Sequence, residues 1–191
     1  MKKIVFDIET SNIFSDVGKN DPSLLDLSVI AVYDFEEDKY TSYFQEELPK
    51  LWPKLEKADV IIGFNSEHFD LPLLNKYYHG DLSRIKHIDL LKEIKQSLGR
   101  RIKLDTIAEA TLDKKKTGHG LEAVTWWRKG EKQKVADYCI EDVRITKEVY
   151  DFALKNGELK YKEGFQIKSI PIDTSHWESK EDSAMTHTLP F

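Results

Sequence analysis

The chain has 191 residues, with 29 Lys+Arg against 34 Asp+Glu, a formal net charge of −5, 40% hydrophobic residues and one cysteine. That length and apolar share suit one α/β domain with a sizeable core and exclude a disordered chain, while a lone Cys139 excludes an internal disulfide or a cysteine metal knot. No apolar run approaches the roughly 18 residues a spanning helix needs and the N-terminus lacks a signal-peptide core, so no membrane partner and a reducing, cytoplasmic location are expected. The charge is uneven: residues 84–134 carry +7, with 14 Lys+Arg against 7 Asp+Glu, and the remainder carries −12. A basic middle of this kind can face a phosphate backbone or serve solubility alone.

Lys2–Phe6 reads as a short buried strand, because Ile4, Val5 and Phe6 are contiguous β-branched or aromatic residues. Asp7 and Glu9 follow at its end, separated by Ile8. Strand alternation puts both acids on one side and Ile8 in the core, with the acids' Cα atoms roughly 7 Å apart. Two carboxylates so placed can share a divalent cation, or they simply begin a solvated loop. Phe14–Leu24 has a loop composition, and Leu27–Phe35 and Tyr40–Gln45 read as strands that complete an antiparallel meander. Leu48–Ala58 has helical apolar spacing, and Asp59–Phe64 is the continuous apolar run of a buried parallel strand, reached by a right-handed crossover.

Asn65–Pro72 follows that strand, with a helix expected over Leu71–Tyr78. Asp70 serves either as its N-cap or as a third carboxylate at a strand end, where ligands of α/β sheets bind. His68 is expected at the surface. Ile85–Ile88 reads as a strand, Asp89 as the cap of a helix to Leu98, and Asp105 as the cap of a helix to Leu112; both acids are read as structural. Asp113–Gly120 is a basic, glycine-bearing loop containing His119, read as solvated surface or as a phosphate contact. Leu121–Arg128 forms a short helix with Trp126 and Trp127, and the last helix runs over Lys132–Asn156 to Gly157 as C′ residue. Asp142 lies mid-helix near the apolar face, and the residues three and four away are Tyr138, Cys139, Ile145 and Thr146, none of them a cation. Such an acid turns to water or is compensated from elsewhere, a bound cation being one way. Beyond residue 160 a C-terminal extension is expected: an edge strand within Phe165–Ile172, then a polar, mobile tail over Thr174–Phe191.

The segments F-D-I-E-T at 6–10, N-S-E-H-F-D at 65–70 and Y-C-I-E-D at 138–142 together resemble, in that order, the three motifs of the DEDD superfamily of 3′–5′ exonucleases. Tyr138, four residues before Asp142, is similar to the tyrosine-type branch, which includes the proofreading domain of family B DNA polymerases. L-G-R-R-I-K-L-D at 98–105 and K-T-G-H-G-L at 116–121 also resemble stand-alone ribonuclease H-like proteins regarded as exonucleases. The resemblance covers residues 1–157 and implies a ribonuclease H-like α/β fold, a mixed five-stranded sheet with helices on both faces. It implies a 3′–5′ exonuclease acting on the 3′ end of single-stranded DNA or RNA. Two divalent cations, Mg²⁺ or Mn²⁺, would be held by Asp7, Glu9, Asp70 and Asp142, with Asp7 bridging them. Tyr138 would orient the attacking water, since a phenol is too weakly basic to take its proton at neutral pH. Ile8, Thr10, Asn65 and Phe69 would contact the terminal nucleotides. The alternatives are a structure-selective endonuclease on the same site and a silent nucleic-acid-binding module.

Overall fold

The computed structural model describes residues 1–114 and 120–179. Strand β1 (Lys3–Thr10) lies at the centre of the sheet because it is apolar toward both faces: Val5 enters one core, while Ile4, Phe6 and Ile8 enter the other. It pairs antiparallel with β2 (Leu27–Asp34), which pairs antiparallel with β3 (Lys39–Phe44). On its other side lie β4 (Val60–Gly63) and β5 (Lys86–Asp89), both parallel, giving the order β3-β2-β1-β4-β5. This is the mixed five-stranded sheet expected. Strand β1 is longer than the Lys2–Phe6 read from sequence. Pairing of Asp7 with Ala31 and of Glu9 with Val29 carries it through both acids, so they sit within the strand rather than opening a loop. The partner β4 is shorter and meets β1 only over Lys3–Val5, so the acid-bearing half of β1 faces the turn that follows β4.

Helices cover both faces. Helices α2 (Leu48–Glu56) and α3 (Asp70–Asn75) place Leu51, Leu55, Leu73 and Leu74, each no more than 1% exposed, against Ile4, Phe6 and Ile8. Burying a leucine this fully stabilises by about 2–3 kcal/mol, which is what fixes these helices to the sheet. The opposite face carries α4 (Leu90–Leu98), α5 (Leu104–Leu112), α6 (Gly120–Arg128) and α7 (Lys132–Asn156). Helix α7 has the boundaries its sequence predicts and ends at Gly157, whose φ of 66° lets its N–H reach the Ala153 carbonyl. The expected loop over Phe14–Leu24 holds the four-residue α1 (Phe14–Val17) and a 3₁₀ turn over Pro22–Leu24, where Asp21 accepts from the Ser23 N–H.

The C-terminal part differs from its sequence reading. Strands β6 (Glu158–Glu163) and β7 (Gln166–Pro171) form a separate two-stranded sheet rather than an edge strand of the main one. The chain reverses at Gly164, φ 62°, and pairs with itself; β6 is tied to α5 by Thr111, whose Oγ1 donates to the Lys160 carbonyl and accepts from its N–H. The reading of a mobile tail from Thr174 is corrected for its described part. Trp177 is fully buried and stacked on Tyr150 at 5.2 Å, and Glu178 accepts from the Tyr150 hydroxyl and from Lys3. A single tryptophan has no periodicity for a sequence pattern to detect. The rest of that tail, 180–191, and most of the basic loop, including His119, lie outside the described residues.

Candidate metal centre

Because side chains alternate along β1, Asp7 and Glu9 share the face of Val5, which is the face against which α7 packs. The middle of α7 presents Asp142 to them. Carboxylate oxygens of Asp7, Glu9 and Asp142 lie within 4.8 Å of one another, with Asp7 half-buried and the other two buried. One turn earlier, the Cys139 thiol donates to the Asp7 carbonyl at 3.2 Å and lies 3.8 Å from the Asp7 carboxylate. Burial first, then the charges of Asp7, Glu9 and Asp142, raises its pKa well above the usual thiol range, so it remains a donor. Tyr138 is buried four residues before Asp142, hence on the same side of α7, and its ring meets the Trp126 ring of α6 edge-on at 5.7 Å.

The turn between β4 and α3 is built around a different acid. Gly63 closes β4 where a Cβ would lie 2.2 Å from the Ser66 hydroxyl, so only glycine lets the chain fold back so tightly. Asn65 takes the left-handed conformation, φ 64°. Asp89 holds this shape: it accepts the N–H groups of Asn65 at 2.8 Å and Glu67 at 3.0 Å while capping α4 through the Leu91 N–H at 2.9 Å. The Ser66 hydroxyl meets His87 Nε2 at 2.9 Å, and burial lowers the His87 pKa. Asp89 is thus structural, as its sequence suggests. Asp105 is not the cap expected for it: it stands in the first turn of α5, Lys103 occupies the cap position, and Asp105 lines the same cavity as Asp7 and Asp142.

Asp70 is not the N-cap considered for it. It is the first residue of α3, Phe69 occupies the cap position, and no side chain caps that helix. Its buried carboxyl instead accepts from the Ile8 backbone N–H, which places it at the edge of β1 between the levels of Asp7 and Glu9. Burial, and next the charge of Asp89, push its pKa well above the usual carboxylate range. It stands outside the group formed by Asp7, Glu9 and Asp142.

Two open cavities flank that group. One, of about 510 Å³, is lined by Asp7, Asp142, Asn65, Arg101 and Lys103. The other, of about 410 Å³, is lined by Ile8, Glu9, Thr10, Phe14 and Phe69. Leu121 of α6, 73% exposed, borders both. The four expected substrate-binding residues therefore divide, Asn65 on the polar side and Ile8, Thr10 and Phe69 on the apolar side. His68 is exposed, as expected. The convergent donors are carboxylate oxygens, which fit a hard divalent cation such as Mg²⁺ or Mn²⁺ better than a thiophilic metal.

The model of the RNase H superfamily matches residues 4–154. The chain belongs to the RNase H superfamily. RNase H-like nucleases use divalent metals, and the buried acidic group seen here could bind one. Among solved structures, this RNase H-like chain is similar to the family B DNA polymerase from the hyperthermophilic archaeon Pyrobaculum calidifontis, with a TM-score of 0.63 and 19% identity. The match covers 81% of this chain and 24% of the polymerase, so the chain spans about a quarter of that protein, and the likeness is one of fold. No curated protein matches the chain.

Sequence reasoning did not assign three residues of this RNase H-like site. Cys139 was visible at helical spacing from Asp142, but its bond to Asp7 depends on how α7 crosses β1. The tie from Asp89 to the Asn65 turn joins parts of the chain 24 residues apart. Arg101, whose guanidinium donates to the Asn65 side chain, lies in the L-G-R-R-I-K-L-D segment, whose resemblance assigned it no role.

Proposed function

We propose that this protein is a metal-dependent 3′–5′ exonuclease that hydrolyses single-stranded nucleic acid to nucleoside 5′-monophosphates. The observation that carries this reading is the convergence of Asp7, Glu9 and Asp142 between two open cavities in an RNase H-like fold. These three carboxylates would hold a divalent ion, and Asp70, hydrogen-bonded to the backbone between Asp7 and Glu9, would supply the further ligand for a second. Bound Mg²⁺ or Mn²⁺ would supply a water of lowered pKa and positive charge for the leaving 3′ oxygen.

The chain's own residues bind and orient. The cavity beside Glu9 and Thr10 offers Phe14 and Phe69 as apolar walls for a nucleoside. The Tyr138 hydroxyl, held by the ring packing against Trp126, accepts or donates one hydrogen bond to the attacking water and so fixes its approach. Cys139 holds the Asp7 end of β1 to α7, keeping acids from two elements at one distance.

The test is digestion of 5′-labelled single-stranded DNA and RNA with Mn²⁺ or EDTA, with Asp7→Ala and Tyr138→Phe alongside. A metal-dependent ladder shortening from the 3′ end is expected. It should vanish in Asp7→Ala and slow by about 10²-fold in Tyr138→Phe. Internal cuts would replace this reading with an endonuclease. No cleavage together with no Mn²⁺ binding would end the catalytic reading.

A further inference from the structure

We propose that the groove leading from Asp7 and Asp142 past Arg101 is a second binding surface, which holds the phosphodiester backbone of a nucleic-acid strand beyond the bond being cut. This rests on the exonuclease reading and names how much of the substrate the protein grips. The polar cavity beside the acids shares Asn65, Leu91 and Arg101 with a neighbouring cavity of about 310 Å³, so the two form one continuous groove. Lys92, Lys95, Arg101 and Lys103 line it, and all four are exposed. Asp105 joins Asp7 and Asp142 in the inner part, and the acids of the outer part are already engaged. Asp89 accepts backbone N–H groups, and Glu67 pairs with Lys92 at 2.6 Å.

Among the described residues, Lys95, Arg101 and Lys103 make no ion pair, so their charge is directed at whatever enters the groove. The apolar cavity on the Glu9 side has no basic residue in its lining. A polyanion reaching the acidic cluster therefore has one favourable exit, toward Arg101 and Lys95. Arg101 is also held in place. It donates one N–H to the Asn65 side chain, and the Asn65 backbone is fixed in turn by Asp89. A guanidinium has five N–H donors, so most of its fork stays available for phosphate oxygens, which it can bind in pairs. The helix α4 adds Lys92 and Lys95 at three-residue spacing along one face, in line with a strand rather than with a single small anion.

The experiment is fluorescence anisotropy of a short 5′-labelled oligothymidylate in EDTA, where binding is read without cleavage, repeated across a salt series. The variants are Lys95→Gln, Arg101→Gln, the charge-retaining Lys95→Arg and the control Lys39→Gln at the far edge strand. Lys95→Gln and Arg101→Gln should each bind about fivefold more weakly near 0.1 M salt, and each should flatten the plot of log affinity against log salt by about 0.7. Lys95→Arg should restore the slope, and Lys39→Gln should match wild type. Thermal melts confirm the fold of each variant. Unchanged affinity and slope in both groove variants, or an equal loss in Lys39→Gln, would overturn the assignment. Wild type that cleaves the strand while the groove variants bind it normally removes the groove alone. Wild type that neither binds nor cleaves removes the exonuclease reading with it.

Discussion

Two buried acidic regions lie side by side in this molecule and are stabilised in opposite ways. In the turn after β4, Asp89 is surrounded by donors, with backbone N–H groups from both the turn and α4 directed at one carboxylate. Across from it, Asp7, Glu9 and Asp142 bring carboxylate oxygens within 4.8 Å of one another. Asp89 is 5% exposed and Asp142 is 5% exposed, so burial does not distinguish a structural acid from a proposed metal ligand. What surrounds the carboxylate does. Backbone dipoles supply fixed positive charge in the first region, whereas the second brings three like charges close together, an arrangement that a bound cation would relieve.

Replacing an acid should therefore change stability with opposite sign in the two regions. The largest effect is expected on activity. Asp142→Asn should lower nuclease turnover by roughly 10³-fold, and in EDTA the same variant should unfold later than wild type, by about 1 kcal/mol, because a repulsion is gone. Asp89→Ala should do the reverse and cost about 3 kcal/mol in urea unfolding, since several buried N–H groups lose a charged acceptor. A stabilised Asp89→Ala, or a destabilised Asp142→Asn in EDTA, would break the contrast. Metal sharpens it. Saturating Mn²⁺, at about 100 times its Kd, should raise wild-type stability by about 2.7 kcal/mol, the Asp89→Ala protein by a similar increment, and Asp142→Asn by far less. The smallest effect concerns His87 beneath the turn. Its pKa lies below the ordinary 6.5, mainly through burial, so the unfolded chain binds the proton more readily. Wild-type stability should be full above pH 6.5 and decline as pH falls toward the lowered pKa, and His87→Gln should flatten that acid limb in melts taken across the range.

The sequence discloses those parts of the site that depend on local periodicity. Alternation along β1 already put Asp7 and Glu9 on one face, and the apolar spacing of α7 with Gly157 set its length and aligned Tyr138 with Asp142. Non-local contacts were not legible. Asp70 looked like a cap because its neighbours in sequence are a turn and an early proline, yet its carboxyl is directed at a strand more than 60 residues earlier in the chain. The division of Ile8, Thr10, Asn65 and Phe69 between two cavities depends on where α6 crosses the sheet, and no pattern inside any one segment encodes that. The hairpin of β6 and β7 was mistaken for a sheet edge for the same reason: strand propensity says that a segment extends, not which partner it meets.

The docking of Trp177 and Glu178 bears on how this chain completes its fold. Lys3, on the first strand, meets Glu178 across 175 positions, and the indole packs on Tyr150 near the end of the long helix. A contact of such sequence separation closes late, after the sheet has nucleated, because the loop entropy must be overcome first. The segment thus joins the last described part of the chain to its first strand. A fragment cut after Asn156 would retain every proposed ligand and the pairing of β1 with β2 and β4, but would lose the Glu178 contact to Lys3 and uncover the Tyr150 ring.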